Sequence, residues 1–454
     1  MRIHAQAALL PDGWASDVLV SIDEEGLISS VANGPGDGAD TRVEALLPAV
    51  SNLHSHTFQR AMAGLTERRS PEGQGDSFWT WRELMYRFLD ILSPDEIEAI
   101  ARFAFMEMLE AGYAAVAEFH YLHHAPGGAA YDDRAELSGR IVAAAGDSGI
   151  GLTLLPVYYQ RGGLDGRALA GGQLRFGNDL DGFERLLDGA RAHLASLGAD
   201  ARLGLAPHSL RAASGEDIVR LAALMPEAPI HLHIAEQEAE VAEVEAATGR
   251  RPVEWLLDNF DVDRRWCLIH ATQMTAGETD AMARSGAIAG LCPVTEANLG
   301  DGTFPASAFL QAGGRFGVGT DSNVCISLAE ELRQLEYSQR LHHKARSVLA
   351  RPDGSVGRFL YDHALAGGAA ALGRASGGIK AGRVADLVAL EADDFSDLPR
   401  GDGLLDAWIF AANGIGVEHV WSAGRHVVES GRHVRRDEIA GAYQSVYRSV
   451  LSRL

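Results

Sequence analysis

Residues 45–56, Ala45-Leu46-Leu47-Pro48-Ala49-Val50-Ser51-Asn52-Leu53-His54-Ser55-His56, decide how this chain reads. The apolar run from Ala45 to Val50 reads as a buried strand. His54 and His56 follow it two positions apart. Alternate residues of a strand face the same side, so both imidazoles can meet one metal ion from the mouth of a barrel.

Working outward, an apolar strand followed by a helix recurs from about residue 45 to 350. The expected strands are Val50 with its upstream run, Ala114 to Phe119, Gly151 to Val157, Leu203 to His208, Pro229 to Ile234, Trp266 to His270, Ala287 to Cys292 and Arg315 to Gly319. Helical stretches between or after them include Pro94 to Glu110, Gly215 to Leu224 and Leu328 to His343. Strands alternating with helices imply a parallel sheet with helices outside, and about eight such units close a (β/α)8 barrel. Before residue 45 and after about 376 the pattern reverts to short strands and turns, including a hairpin over Val417 to Arg432 that turns near Ala423-Gly424. The expected organisation is therefore a barrel over 46–375. Residues 1–45 and 376–454 form one small β domain beside it, the latter ending in a helix.

Composition excludes several classes of function. The 454 residues carry a formal net charge of -22, which argues against nucleic acid and anionic membrane surfaces. No stretch approaches about 18 uninterrupted apolar residues, so no membrane span is expected. The first residues lack the basic-then-apolar pattern of a secretory signal. Three widely spaced cysteines, Cys267, Cys292 and Cys325, read as buried free thiols, and a reducing cytoplasm fits them.

Barrel enzymes carry their chemistry at the C-terminal ends of the strands. His54 and His56 stand there after the first strand, His208 after the fourth and His233 in the fifth, with Glu236 three residues on. His270 ends the sixth strand and Asp321 the eighth. One histidine at such a place is usually a hydrogen-bonded barrel residue; five at successive strand ends point to a metal centre. Imidazole and carboxylate suit Zn²⁺, and also Fe²⁺ or Mn²⁺. Such an ion lowers the pKa of a bound water toward about 7. Glu236 stands where it can take the water's proton and pass it to a leaving nitrogen. Lysine occurs only at Lys344 and Lys380, both beyond Asp321, so no lysine on the fourth strand can bridge two metals. One ion per chain is expected. No phosphate-binding P-loop, nucleophile-elbow serine or nucleobase-deaminase zinc motif is present.

Arg82, in the loop after the first strand, and Arg211, after the fourth, offer guanidinium forks that match carboxylates. Tyr121 and Gln59 add neutral hydrogen-bonding groups. In so acidic a protein, arginines at the barrel mouth suit a small substrate with one or two carboxylates. Trp79 and Trp81 are candidates for stacking on a flat ring, although such residues more often pack.

Several stretches resemble the amidohydrolase superfamily and, more narrowly, its formimidoylglutamate deiminases. They are residues 52–65 (Asn-Leu-His-Ser-His-Thr-Phe-Gln-Arg-Ala-Met-Ala-Gly-Leu), 78–86 (Phe-Trp-Thr-Trp-Arg-Glu-Leu-Met-Tyr), 117–121 (Ala-Glu-Phe-His-Tyr) and 208–211 (His-Ser-Leu-Arg). Further along come 231–237 (His-Leu-His-Ile-Ala-Glu-Gln), 265–272 (Arg-Trp-Cys-Leu-Ile-His-Ala-Thr), 295–302 (Thr-Glu-Ala-Asn-Leu-Gly-Asp-Gly) and Asp321-Ser322. The resemblance implies a distorted (β/α)8 barrel with a β-sandwich built from both termini, one zinc ion and a homodimer. It implies zinc ligands at His54, His56, His233 and Asp321, proton shuttling by Glu236, and polarisation of the water by His270 with Asp321. It places Gln59, Arg82, Tyr121, His208 and Arg211 around the carboxylates of a formimino dicarboxylate. The implied reaction is hydrolysis of N-formimino-L-glutamate to N-formyl-L-glutamate and ammonia in histidine degradation. Asn323 stands where this resemblance leads one to expect histidine, which bears on the packing around Asp321. Three rival readings are a deaminase of the same superfamily acting on guanine or an adenosine derivative, an inactive metal-binding barrel, and a two-metal amide hydrolase.

Overall fold

The computed structural model describes residues 1–67, 78–391, 401–411 and 415–454; at 78–80 the description is of helical backbone alone. Eight strands form the barrel: Val50–Ser55, Tyr113–His120, Gly151–Tyr158, a broken fourth strand of Arg202–Leu203 and Ala206–Pro207, then Ile230–Ile234, Trp266–His270, Ile288–Leu291 and Arg315–Val318. All neighbours in this ring pair in parallel. The helices over Pro94–Glu110, Gly215–Leu224 and Leu328–His343 have the expected bounds. The first of these begins with a Ser93–Glu96 capping box and Pro94 in its first turn, which satisfies amide groups that a helix start leaves open.

The ladders form two four-stranded arcs, and the ring closes by single bridges. Between the fourth and fifth strands the bridges are Leu205 with Ile230 and Ser209 with His233; between the eighth and first, Ser55 pairs with Asp321. The fourth strand differs from the continuous run expected from Leu203 to His208. At Gly204 the backbone amide still donates to Leu154 on the third strand (2.9 Å), whereas that of Leu205 donates to Pro229 at the fifth (2.9 Å). Successive amides of one strand point to opposite neighbours, and the fourth strand keeps its register on the third across the break, with Leu203 beside Leu154 and Ala206 beside Val157. A Cβ on Gly204 would lie 2.5 Å from Leu155 Cδ2 and 3.0 Å from the Pro229 oxygen, so glycine permits the close approach of both neighbouring strands. At the other seam a Cβ on Gly319 would lie 2.7 Å from both the amide nitrogen and the oxygen of His54. Glycine thus lets the eighth strand rest against the backbone that carries the histidine pair.

Strands from both chain ends hydrogen-bond into one eight-stranded sheet beside the barrel. Its middle strand, Thr41–Pro48, runs parallel to Arg2–Leu10 on one side and antiparallel to Leu387–Glu391 on the other. Side-chain alternation splits these strands between two cores. Leu47, Val388 and Leu390 join the barrel's apolar cluster, while Leu46, Leu387 and Ala389 join a smaller one with Ile3, Val18, Val20 and Trp421. The hairpin of Gly416–Ser422 and Arg425–Glu429 turns at Ala423-Gly424 as expected. The last helix, Arg436–Leu451, packs on Pro94–Glu110, with Tyr443 stacked on Phe103 at 4.0 Å.

One expectation fails: Cys325 is exposed, while Cys267 and Cys292 are buried and all three are free. Cys325 lies in the loop after the eighth strand, where the apolar neighbours that suggested burial do not cover it. Among the described residues no helix is long and apolar enough to cross a membrane.

Candidate active site

The barrel mouth gathers the strand-end residues. His54 and His56, on the first strand and just past it, and His233, on the fifth, bring their Nε2 atoms together: His54 to His56 at 3.2 Å and His54 to His233 at 3.1 Å. Asp321 Oδ1 lies 3.4 Å from His54 Nε2 and 3.2 Å from His56 Nε2. One donor atom from each of the four residues falls within 4.8 Å of the others, and all four are buried.

This cluster fits a divalent cation because its facing atoms are lone pairs. His56 Nδ1 donates to the Phe119 carbonyl at 2.9 Å, and His233 Nδ1 to that of His208 at 3.2 Å. With Nδ1 carrying the proton, Nε2 of both rings presents a lone pair. Burial holds the His54 imidazole down to about 3 and that of His233 well below its ordinary value. Burial opposes ionisation of Asp321, but the facing His54 and His56 rings outweigh it and keep the carboxylate well below the usual range. Neutral imidazoles and an anionic carboxylate crowded to about van der Waals contact form a cation site of the kind that zinc, iron(II) or manganese(II) occupies.

The backbone bends sharply where the chain leaves these strands. Ala235, His270, Ala271, Asp321 and Asn323 all have positive φ, between 44° and 66°. For residues with a Cβ this left-handed conformation costs roughly 1 kcal/mol or more apiece. The turn at Ala235 carries the chain from His233 round to Glu236.

Glu236 lies beside the metal cluster without joining it. Its Oε1 is 4.0 Å from His270 Nε2, which is 3.9 Å from Asp321 Oδ2. Burial pushes the Glu236 carboxyl up to about 7, against the pull of His270. Burial disfavours charge on His270, yet Glu236, Glu296 and Asp321 outweigh it and raise the imidazole to about 10. Glu296, an acid after the seventh strand, meets His270 Nδ1 at 3.3 Å and accepts from the Cys292 amide at 2.9 Å. It thereby fixes the ring's orientation.

The same pocket is lined by Gln59, Arg82, Tyr121, His208 and Arg211, together with Trp81, Met85, Tyr86, Tyr159, Phe176 and Leu299. Gln59 Nε2 donates to the Tyr121 hydroxyl at 2.9 Å, leaving the buried Gln59 Oε1 without a partner. Arg82 Nε donates to the Tyr86 hydroxyl at 2.7 Å. Arg211 is only 9% exposed; its Nε has no partner, and among the described residues no carboxylate forms an ion pair with it. Burial, then the charges of Arg211 and Arg82, keep His208 well below its ordinary value and hence neutral. Trp81 lines the pocket, whereas the Trp79 side chain lies outside the described residues.

All eleven sequence-derived site residues thus meet in one cavity or its metal cluster. Three acids escaped the sequence reading. Glu118 accepts from the Thr57 amide (2.8 Å) and hydroxyl (2.7 Å), next to His56. Glu296 backs His270. Asp301 is buried beside the pocket and receives the Gln237 side-chain amide. Only Glu296 left a usable signal: it too follows a barrel strand, a position weighed for histidines but not for every acid. Asn323, in place of the expected histidine, is fully buried and hydrogen-bonded at both ends of its amide.

Residues 45–427 match the amidohydrolase family, and residues 1–44 match the N-terminal domain of formimidoylglutamate deiminase HutF. The chain is 51% identical over 453 residues to a formimidoylglutamate deiminase of Pseudomonas aeruginosa, with 99% of each chain covered. A crystal structure of an amidohydrolase from Brucella melitensis matches with a TM-score of 0.95 at 50% identity, again over 99% of each chain. A 5-methylthioadenosine/S-adenosylhomocysteine deaminase of Halobacterium salinarum is 28% identical over 462 residues, covering 99% of this chain and 97% of that one.

Proposed function

Because this chain belongs to the amidohydrolase family, and within it to the formimidoylglutamate deiminases, we propose that it hydrolyses N-formimino-L-glutamate to N-formyl-L-glutamate and ammonia. The observation that carries the substrate reading is Arg211, a buried guanidinium that forms no ion pair with a carboxylate among the described residues, although the charges of Glu240 and Glu236 act on it. Burying a lone charge is costly, and a substrate carboxylate supplies the missing partner. Arg82, steadied by Tyr86, suits the second carboxylate, and Gln59, Tyr121 and His208 complete the contacts around the glutamyl part. A pocket that reads two carboxylates discriminates against purines, which have none.

We assign the metal ligands as His54, His56, His233 and Asp321, with zinc as the ion. A divalent ion held there supplies Lewis acidity, lowering the pKa of a coordinated water toward about 7. Glu236, balanced near neutrality, takes a proton from the water as its oxygen adds to the formimino carbon. It then delivers that proton to the terminal nitrogen, and carries the proton left on the added oxygen to the same nitrogen as the intermediate collapses. The carbon–nitrogen bond breaks, ammonia leaves, and the carbon keeps the oxygen as the formyl group. His270, held by Glu296, keeps the water on the correct side of Asp321 and stabilises the negative charge that develops on oxygen. The two cores support a division into a barrel, 46–375, carried by terminal pieces 1–45 and 376–454. A cytoplasmic homodimer serving histidine degradation is the setting we propose.

Ammonia release over a panel of formiminoglutamate, formiminoaspartate, guanine and S-adenosylhomocysteine tests the reading. Turnover of formiminoglutamate well above the rest is the expected result. Preference for either purine compound would replace it with the purine-deaminase reading.

A further inference from the structure

The two carboxylate oxygens of Asp321 face different neighbours. Oδ1 approaches His54 and His56 at 3.4 and 3.2 Å, whereas Oδ2 lies 3.9 Å from His270 Nε2. Cys292 is buried just past the end of the seventh strand. Donor atoms of His270, Cys292 and Asp321 all lie within 4.8 Å of one another. Thiolate, imidazole and carboxylate together favour zinc or cadmium over magnesium or calcium. The surroundings also favour a cation: Glu296 Oε1 is 3.3 Å from His270 Nδ1 and Glu236 Oε1 is 4.0 Å from Nε2.

We propose that His270, Cys292 and Asp321 form a second, weaker site for a thiophilic divalent cation, and that filling it inhibits the enzyme. Asp321 would be common to both ligand sets. The second ion binds more weakly because it has three protein ligands, shares one of them, and meets the charge of its neighbour. As the metal–sulfur and metal–nitrogen bonds form, the thiol proton and any proton on the ligating His270 nitrogen pass to solvent; nothing is oxidised or reduced. Inhibition follows because His270, once tied to a metal, no longer serves the water beside Asp321. The inference rests on the metal centre and activity proposed above.

The test uses the full chain in a Cys325→Ser background, which removes the exposed thiol. Metal is stripped with a chelator and cadmium or zinc is then titrated back. The expected result is one tightly held equivalent without sulfur absorption, then a weaker one that brings a sulfur-to-cadmium charge-transfer band in the ultraviolet. Deiminase activity should rise with the first equivalent of zinc and fall with the second. Adding Cys292→Ser should abolish the band and the inhibition by excess zinc, while the first equivalent and its activity persist. Uptake of a single ion with no sulfur band, or inhibition unchanged in Cys292→Ser, overturns this proposal alone. Uptake of no ion at all overturns the primary metal centre as well.

Discussion

Asn323 donates its side-chain amide to the main-chain oxygen of His56 at 3.1 Å. The same nitrogen reaches Ser55 Oγ and the Asp321 oxygen, each at 3.1 Å, while Oδ1 accepts from Thr320 Oγ1 at 2.6 Å. Thr320 in turn meets Asn52, whose Nδ2 donates to it at 2.7 Å. This relay spans the seam where a single bridge joins the eighth strand to the first, and it binds together the backbones carrying His54, His56 and Asp321. Outer partners of metal ligands typically govern about 10- to 100-fold in affinity. Asn323→Ala should weaken metal binding by an amount in that range, read by competition with a chromogenic chelator. Unchanged affinity in a folded variant would show that the relay does not position the ligands.

Arg211→Met keeps the apolar stem and removes the charge. A charge-assisted hydrogen bond is worth about 1.5–3 kcal/mol, so KM for formiminoglutamate should rise by about 10- to 150-fold. Thermal stability without substrate should hold or increase, since no ion pair among the described residues is lost. Steady-state kinetics together with the melting temperature, with and without glutarate, check both halves. A KM equal to that of the parent would remove Arg211 from substrate recognition.

Glu236→Gln preserves shape and removes the proton acceptor. The expected loss in kcat is about 10²- to 10⁴-fold, with metal content measured by atomic emission unchanged, because Glu236 is not among the proposed ligands. A variant that still turned over at the parent rate would transfer the proton role to another group.

Acid should destabilise the fold from near pH 6.5 downward. His123 and His231 are fully buried, each with Nε2 2.9 Å from a carbonyl, of Val157 and Ala371 respectively. Burial lowers them to about 3 and about 4. Below 6.5 the unfolded chain binds a proton at each site and the native chain does not, so unfolding gains with every proton. The contribution is fully present above 6.5 and fades as pH falls toward 4 and then 3, at up to about 1.4 kcal/mol per pH unit for each histidine. Denaturant midpoints at pH 7, 6 and 5 measure it. His231→Gln, which keeps a donor for Ala371, should reduce the slope.

The barrel was legible in the sequence because burial on both faces writes each parallel strand as an apolar run, and because the helix between strands has its own period. The metal cluster was legible through His54 and His56, since strand geometry alone puts them on one side. What stayed hidden depended on approach in space. The fourth strand is interrupted at Gly204, where Leu155 and Pro229 close in from either side, and no local pattern announces that approach. Glu118 sits far in sequence from Glu296 and Asp301, and all three matter through what folding sets beside them. Cys325 looked like a core thiol from its apolar neighbours, yet the loop that carries it leaves the sulfur uncovered.

The small sheet also constrains the order in which the protein is made. Thr41–Pro48 leaves the ribosome with Arg2–Leu10 already available as one neighbour, but its other neighbour, Leu387–Glu391, is translated only after the whole barrel. Through that interval the strand keeps an open edge, the kind that invites pairing with another chain. Nascent copies crowded on one messenger are therefore prone to tangle at this edge, and the emergence of Leu387–Glu391 is the event that seals it.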